Sequence, residues 1–246
     1  MTRIPSPRIA LLCLLACVAL PGCSREEAVP DRSKKLYSQN DEELIIRDFF
    51  DDRKGGFFVD VGAYHWQDLS TTYFLEKYLQ WSGIAIDAQA QFAEGYAKYR
   101  PKTKFFGYAV TDKSGETLKL YLAFGLSSLD PNWPQQFAEG KKLDLRAVDV
   151  PTITLNDLLE RNHVAKIDFL SMDIEGAEPA ALAGFDIERY RPELVCIEAA
   201  AENQDVIGVY FEKHGYRRIE EKRDDINWYF TPKAPQPSQA SPPPVQ

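Results

Sequence analysis

The stretch FFVDVGA at residues 57–63 decides how this chain folds. An apolar run of this length that ends in an acid and a glycine is typical of a buried strand leading into a tight turn. A second stretch, FLSMDIEGAE at residues 169–178, has the same form. Because ligands of open α/β sheets bind at the carboxyl ends of the strands, we expect the two turns to face one site.

Further apolar runs of strand length follow the first, and most are separated by segments with helical spacing of apolar residues. This alternation predicts an α/β fold with a doubly wound, mostly parallel sheet. The last two runs are expected to form an antiparallel hairpin at the sheet edge. Residues 124–147 are expected to be irregular. The predicted strands are 57–61, 84–87, 104–110, 117–123, 168–173, 194–198, 216–219 and 228–230.

The N-terminal segment has the features of an export signal. Arg3 and Arg8 precede an apolar run at residues 9–20, which is of signal-peptide length and short for a membrane span. The run ends in LPGC, which resembles the lipobox of bacterial lipoproteins, in which Cys23 would be lipidated. Ser24 favours transfer to the outer membrane, so we expect an exported protein anchored at its periplasmic face. The alternative is an ordinary cleaved signal peptide.

Composition divides the chain into segments. Residues 1–23 form the predicted signal peptide, 24–36 a charged tether, 37–232 one folded domain, and 233–246 a disordered proline-rich tail. Cys196 is the one cysteine of the predicted domain, so no internal disulfide is expected. The net charge of −8, without a basic stretch interleaved with aromatics, disfavours nucleic acid as a partner.

Several segments, taken in their order, resemble the FkbM-type methyltransferases. They are DVG at 60–62, Asp87 after a short apolar run, AV at 109–110 and DIEGAE at 173–178. The similarity extends over residues 37–200. It implies the Rossmann-like fold of class I methyltransferases, with S-adenosylmethionine as cofactor. It also implies O-methylation of a hydroxyl, and therefore a small-molecule or glycan acceptor as partner.

The resemblance places the cofactor against the ends of the first strands. Gly62 would let the backbone pass close to the methionine part of the cofactor. A carboxylate at Asp87 can accept hydrogen bonds from both ribose hydroxyls, as acids at such strand ends do for dinucleotides. The alternative for Asp60 and Asp87 is the cap of a turn or helix. The expected cofactor-binding residues are Asp60, Gly62, Ala63, Tyr64, Asp87, Ala109 and Val110.

Methyl transfer to a hydroxyl needs alignment of the acceptor oxygen with the methyl carbon, and it benefits from a general base. Asp173 is the leading candidate for that base because it lies at a predicted strand end, and Glu175 and His65 are further candidates. The alternative is that Asp173 and Glu175 cap the helix near Pro179 and that His65 is a hydrogen-bonded loop residue. No spacing of histidines, cysteines and acids indicates a metal site.

Two features favour a different class of function, a non-catalytic, membrane-tethered binding module with the same fold. The resemblance implies small residues at two positions after Gly62, where this chain has Tyr64 and Trp66. An exported domain would also be separated from S-adenosylmethionine, which is made and used inside cells. In that case exposed aromatic rings would serve as platforms for sugars.

Overall fold

The computed structural model describes residues 28–137, 143–223 and 226–234. The predicted signal peptide with Cys23 and nearly all of the predicted tail lie outside the described residues. Within those residues, no helix combines the length and the apolar character that crossing a membrane requires.

Two β-sheets organise the part of the chain that the structure describes. The strands are β1 (Phe57–Val61), β2 (Ser82–Asp87), β3 (Thr103–Gly107), β4 (Ala109–Val110), β5 (Thr117–Leu122), β6 (Arg146–Ile153), β7 (Phe169–Met172), β8 (Leu194–Glu198), β9 (Tyr216–Arg223) and β10 (Asn227–Pro232). The large sheet has the order β3-β2-β1-β7-β8-β10-β9, and the small sheet has the order β4-β6-β5. The first five strands of the large sheet are parallel, and β10 is antiparallel to β8 and β9. The predicted mostly parallel sheet with an antiparallel edge hairpin is confirmed.

Helices cover both faces of the large sheet. Ile46 and Phe74, from the first two helices, pack in one apolar cluster, and Leu158 and Phe211 pack in the cluster on the other face. The sheet is therefore doubly wound. The helices are α1 (Glu42–Phe50), α2 (Tyr73–Leu79), α3 (Ala93–Tyr99), α4 (Trp133–Gln136), α5 (Leu155–Arg161), α6 (Glu178–Ala183), α7 (Ile187–Tyr190) and α8 (Gln204–Lys213), and a 3-10 helix spans Ala90–Phe92.

The side chains of β1 alternate between the two faces, which explains its place inside the sheet. Phe58 belongs to the apolar cluster under α1 and α2, whereas Val59 and Val61 belong to the opposite cluster. A strand that is buried on both faces must be apolar on both, and FFVDV meets this condition except at Asp60. The Asp60 carboxylate therefore needs a partner inside the fold.

The third predicted strand and the region expected to be irregular both differ from the prediction. The run at 104–110 is divided into β3 and β4, because the chain leaves the large sheet and Ala109 pairs with Thr152 in the small one. Strand β6 begins inside the region 124–147 and pairs antiparallel with β5. The sequence of β6, RAVDVPTI, contains charged residues and Pro151, so it lacks the apolar run that would predict a strand. Pairing with β5 is what makes this segment a strand.

The described part of the predicted tether, residues 28–36, packs against α1. The buried Arg47 donates a hydrogen bond of 2.6 Å to the carbonyl oxygen of Pro30. Arg32 forms an ion pair with Asp52 at 2.8 Å. This segment is attached to the domain because a buried guanidinium needs the carbonyl groups that the segment supplies.

Candidate active site

A cleft opens at the carboxyl edge of the large sheet, at the ends of β1, β2 and β7. It consists of two adjoining cavities, which share Gly62, Tyr64, Gly125, Asp173 and Glu175 as lining residues. The first cavity has about 560 Å³ of empty space and the second about 510 Å³, including the parts open to solvent. Open α/β sheets bind their ligands at this edge.

The turn after β1 requires glycine at Gly62. This residue has a φ of +84°, and a Cβ built on it would lie 1.6 Å from the carbonyl oxygen of Asp173. The turn is also fixed from the other side, because the N–H groups of Gly62 and Ala63 both donate to the carbonyl oxygen of Ile86. Gly62 lines both cavities, but the close approach that excludes a side chain is to the chain after β7.

Asp87 lies at the end of β2 and is nearly buried. Its Oδ2 accepts the N–H of Tyr64 at 2.8 Å, and its Oδ1 accepts the N–H of Gln89 at 2.7 Å. Burial raises the pKa of the Asp87 carboxyl, and these two N–H groups oppose the rise. Each oxygen keeps a further lone pair, so Asp87 both holds the two turns and can accept hydroxyls in the first cavity, which it lines.

Asp60 lines the second cavity and is 4% exposed. Its Oδ2 accepts a hydrogen bond of 2.7 Å from the Thr72 hydroxyl. Burial raises the pKa of the Asp60 carboxyl to about 6, although the Thr72 hydroxyl and the Arg100 guanidinium lower it. This carboxylate would be stabilised further by a ligand that brings positive charge into the cavity.

A buried guanidinium holds the loop between β1 and α2. Arg100 forms an ion pair of 2.6 Å with Glu76 and donates to the Thr72 hydroxyl at 3.2 Å. It also donates to the carbonyl oxygen of Trp66 at 3.0 Å, while Thr72 holds Asp60. Sequence reasoning misses this network because the partners of Arg100 precede it by 24 to 34 residues. No local pattern marks a buried charge of this kind.

The first cavity has an apolar wall. Ala109 and Val110 are buried and line it together with Ile86 and Leu120. These residues come from β2, β4 and β5, so the wall forms where the small sheet packs against the large one. An apolar wall beside a few oriented polar groups is the usual composition of a cofactor pocket.

The two bulky residues of the loop leave the cleft open. Trp66 stacks on Tyr99 with ring centroids 4.2 Å apart, and its ring packs against Gly95 outside both cavities. Tyr64 has a φ of +46° and packs edge-on against Phe92 with centroids 4.7 Å apart. The loop does carry large rings, but Trp66 packs outside the cleft and Tyr64 forms part of its wall, so space remains in both cavities.

The structure does not bring His65 to the cleft. Its Nδ1 accepts the N–H groups of Gln67 at 3.3 Å and Asp68 at 2.9 Å. The ring lies beside Trp66 in a separate groove. His65 thus has the geometry of a hydrogen-bonded loop histidine, which is the alternative that the sequence left open.

Two carboxylates after β7 line both cavities. Asp173 is half-buried, and its Oδ1 is buried without a hydrogen-bond partner among the described residues. Glu175 has a φ of +56°, and its Oε2 accepts a hydrogen bond of 2.5 Å from the indole of Trp133. Sequence reasoning misses this contact because Trp133 lies in α4, within the region expected to be irregular.

Both carboxyls titrate above their ordinary range. Burial, together with the charges of Glu175 and Glu178, holds the pKa of Asp173 well above its usual value. Burial raises the pKa of Glu175 to about 7, although the Trp133 indole lowers it. A carboxyl in this range can exchange a proton near neutral pH.

The residues of the cleft fit S-adenosylmethionine, because the first cavity combines an apolar wall with Asp87 and the second contains buried acids. Residues 60–218 match the methyltransferase FkbM domain, and the chain belongs to that family. Its doubly wound sheet, with a cleft at the carboxyl edge, is the Rossmann-like fold of class I methyltransferases. S-adenosylmethionine is the cofactor of this class of protein.

Solved structures of methyltransferases are similar to this chain at low identity. The precorrin-6y C5,15-methyltransferase of Geobacter metallireducens is 9% identical with a TM-score of 0.47, over 82% of this chain and 92% of that one. A TehB-like methyltransferase of Corynebacterium glutamicum is 13% identical with a TM-score of 0.43, over 82% of this chain and 90% of that one. The 1,6-didemethyltoxoflavin-N1-methyltransferase of Burkholderia thailandensis, solved with S-adenosylhomocysteine, is 11% identical with a TM-score of 0.42, over 79% and 78%. A comparison with curated proteins finds no match.

Proposed function

We propose that this protein is an S-adenosylmethionine-dependent methyltransferase that methylates a hydroxyl of a small molecule or sugar. The proposal rests on the division of the cleft into an apolar cavity and a polar one. Asp87 lies beside an apolar cavity that suits a nucleoside, and Asp173 and Glu175 lie where this cavity adjoins a polar one. A nucleoside cofactor and a polar acceptor can therefore meet at these acids.

Each part of the cleft has a role in this reaction. S-adenosylmethionine, when bound, supplies a methyl group to the acceptor oxygen, and S-adenosylhomocysteine is released. Asp87 would accept the ribose hydroxyls, and Ala109 and Val110 would contact the adenine. Asp60 would face the positively charged methionine part. Glu175 takes the proton that the acceptor hydroxyl loses as its oxygen bonds to the methyl carbon.

The geometry favours Glu175 over Asp173 as the general base. Trp133 holds one oxygen of Glu175, so the carboxylate is oriented where the two cavities adjoin. A carboxylate oxygen of Asp173 instead lies within 4.8 Å of carboxylate oxygens of Glu178 and Glu198, which line neither cavity. The sequence, by contrast, had favoured Asp173 as the general base because of its position at a predicted strand end.

Calorimetric titration of the purified protein with S-adenosylmethionine and S-adenosylhomocysteine tests cofactor binding. We expect saturable binding that Asp87→Ala weakens by about tenfold or more, because the ribose hydroxyls lose their acceptor. Asp112→Ala, at an exposed position in a turn, should leave the affinity unchanged. If millimolar ligand gives neither heat nor a thermal shift, the proposal fails and the non-catalytic module is supported.

Turnover with a panel of hydroxyl acceptors tests the base. Glu175→Gln should reduce the rate by about 100-fold while the cofactor affinity stays unchanged, because the amide cannot take the proton. Glu202→Gln, at an exposed position, is the matched control. If Asp173→Asn abolishes turnover and Glu175→Gln does not, the role of base belongs to Asp173.

We also propose that the chain is exported and anchored through a lipid on Cys23, at the periplasmic face of the outer membrane, where methyl transfer would require a supply of S-adenosylmethionine outside the cytoplasm. The support is the LPGC sequence after an apolar run of signal-peptide length. Mass spectrometry of the mature protein should show a diacylated Cys23 as the first residue, and Cys23→Ser should abolish the modification. An intact Met1 on the mature protein contradicts the proposal.

A further inference from the structure

Three carboxylates converge at the carboxyl ends of β7 and β8, one of them in the lining of the cleft and two outside it. Asp173 follows β7, Glu178 begins α6, and Glu198 ends β8. One oxygen from each lies within 4.8 Å of the others. Glu178 is fully buried and Glu198 is 7% exposed, and no cation pairs with any of the three in the part of the chain that the structure describes.

Two members of this carboxylate triad have a buried, unsatisfied oxygen atom. Oε2 of the nine-tenths-buried Glu198 has no hydrogen-bond partner among the described residues, and neither does Oδ1 of Asp173. Glu178 differs, because its Oε1 accepts the N–H groups of Ile174 at 2.9 Å and Gly176 at 3.4 Å, and its Oε2 accepts the side-chain amide of Asn203 at 3.4 Å. Buried carboxylate oxygens are costly without a partner, so the triad is incomplete as it stands.

The Glu178 and Glu198 carboxyls share a hydrogen bond, which requires a proton on one of them. The other partner that fits is a cation, since every ionised member of the triad is an acceptor. Burial, together with the charges of Asp173 and Glu178, raises the pKa of Glu198 to about 10. The same negative field that favours a proton on Glu198 also attracts a metal ion. The backbone bonds to Glu178 fix one ligand in place and hold the loop around the site.

We propose that Asp173, Glu178 and Glu198 bind a divalent cation through oxygen ligands. Carboxylates without nitrogen or sulfur select hard ions such as Ca²⁺, Mg²⁺ and Mn²⁺. Ligands on opposite sides of Ca²⁺ lie about 5 Å apart, and those of Mg²⁺ about 4.2 Å apart. Three carboxylate oxygens that all lie within 4.8 Å of one another are close enough for a single ion of either size to reach. This site was not predicted from the sequence, because its members are distributed over 26 residues and lie on different elements.

The experiment is calorimetric titration of chelator-treated full-length protein with CaCl₂, MgCl₂ and MnCl₂ in separate runs. We expect at least one ion to bind saturably at one site with a Kd below about 1 mM and to raise the melting temperature. Glu198→Gln should weaken that binding by about tenfold or more, and the exposed Glu202→Gln should not change it.

Asp173→Asn, at a half-buried position, gives a second test in case Glu198→Gln does not fold. It should also weaken binding by about tenfold. The proposal is overturned if no ion binds saturably to the wild type, which would mean that protons alone neutralise the triad. It is also overturned if a soluble, folded triad variant binds the ion as the wild type does. Cofactor titration in chelator reports on the proposed function separately, so the two proposals can fail independently.

Discussion

Asp60 lowers the stability of the ligand-free protein, although it lines the proposed cofactor site. Its pKa is raised to about 6 because the carboxylate is buried, with Thr72 and Arg100 offsetting part of the cost and Asp87 adding to it. The folded state therefore holds this proton more tightly than the unfolded state. Stability from Asp60 is fully present below about pH 4 and is lost as the pH rises through about 6.

Asp60→Asn should therefore stabilise the ligand-free protein by roughly 1–3 kcal/mol at pH 8 and by little at pH 4.5, because the amide carries no charge to bury. The amide oxygen of the substituted side chain can still accept the Thr72 hydroxyl, and cofactor affinity should fall. Urea unfolding at both pH values measures the difference, with the exposed Asp112→Asn as control. A variant less stable than the wild type at pH 8 would contradict this account.

Trp133 acts on the site through a single hydrogen bond to Glu175. Trp133→Phe keeps an aromatic ring against Gly176 but removes the donor, so Glu175 loses its orientation. We expect turnover to fall by about tenfold with unchanged cofactor affinity, as for a positioning residue. Trp228→Phe, outside the cleft, is the matched control. Equal loss in both variants would show that the effect is general destabilisation.

At the scale of elements, the pair Arg100–Glu76 ties the end of α3 to α2 and to the loop after β1. Arg100→Met should destabilise the protein by about 3–5 kcal/mol, because it leaves Glu76 buried and unpaired. The double variant with Glu76→Met should recover much of that loss, since Glu76 is then no longer a buried, unpaired charge. Denaturant unfolding of the four proteins measures the coupling, and strictly additive effects would rule it out.

The same elements show what the sequence can reveal. Strands β1, β2, β7 and β8 were predictable because each is an apolar run that ends in an acid or a turn, and the acids Asp60, Asp87 and Asp173 follow from that pattern. Strand β6 and the contact from Trp133 to Glu175 could not be predicted from local sequence, because each depends on pairing between distant segments. The pattern of apolar runs that end in acids therefore predicted the position of the cleft. The orientation of its carboxylates depends on tertiary contacts that the pattern does not contain.

At the scale of the whole molecule, the cleft lies where the two sheets meet, so a bound cofactor should connect them. Its apolar wall includes residues of β4 and β5 from the small sheet, while Asp87 ends β2 of the large one and Gly62 lies in the turn after β1. At a concentration of about 100 times Kd, S-adenosylhomocysteine should add about 2.7 kcal/mol of stability. This corresponds to roughly 5–10 °C in melting temperature for a domain of this size.

Hydrogen exchange with and without S-adenosylhomocysteine shows where that stability appears. Protection should increase in the turn after β1, at the end of β2, in β4 and β5, and in the loop after β7, because these segments line the cavities. The β9–β10 hairpin lies at the far edge of the large sheet and should change little. Protection confined to the large sheet would show that the small sheet is not part of the binding site, and Ala109 and Val110 would then lose their place in the adenine pocket.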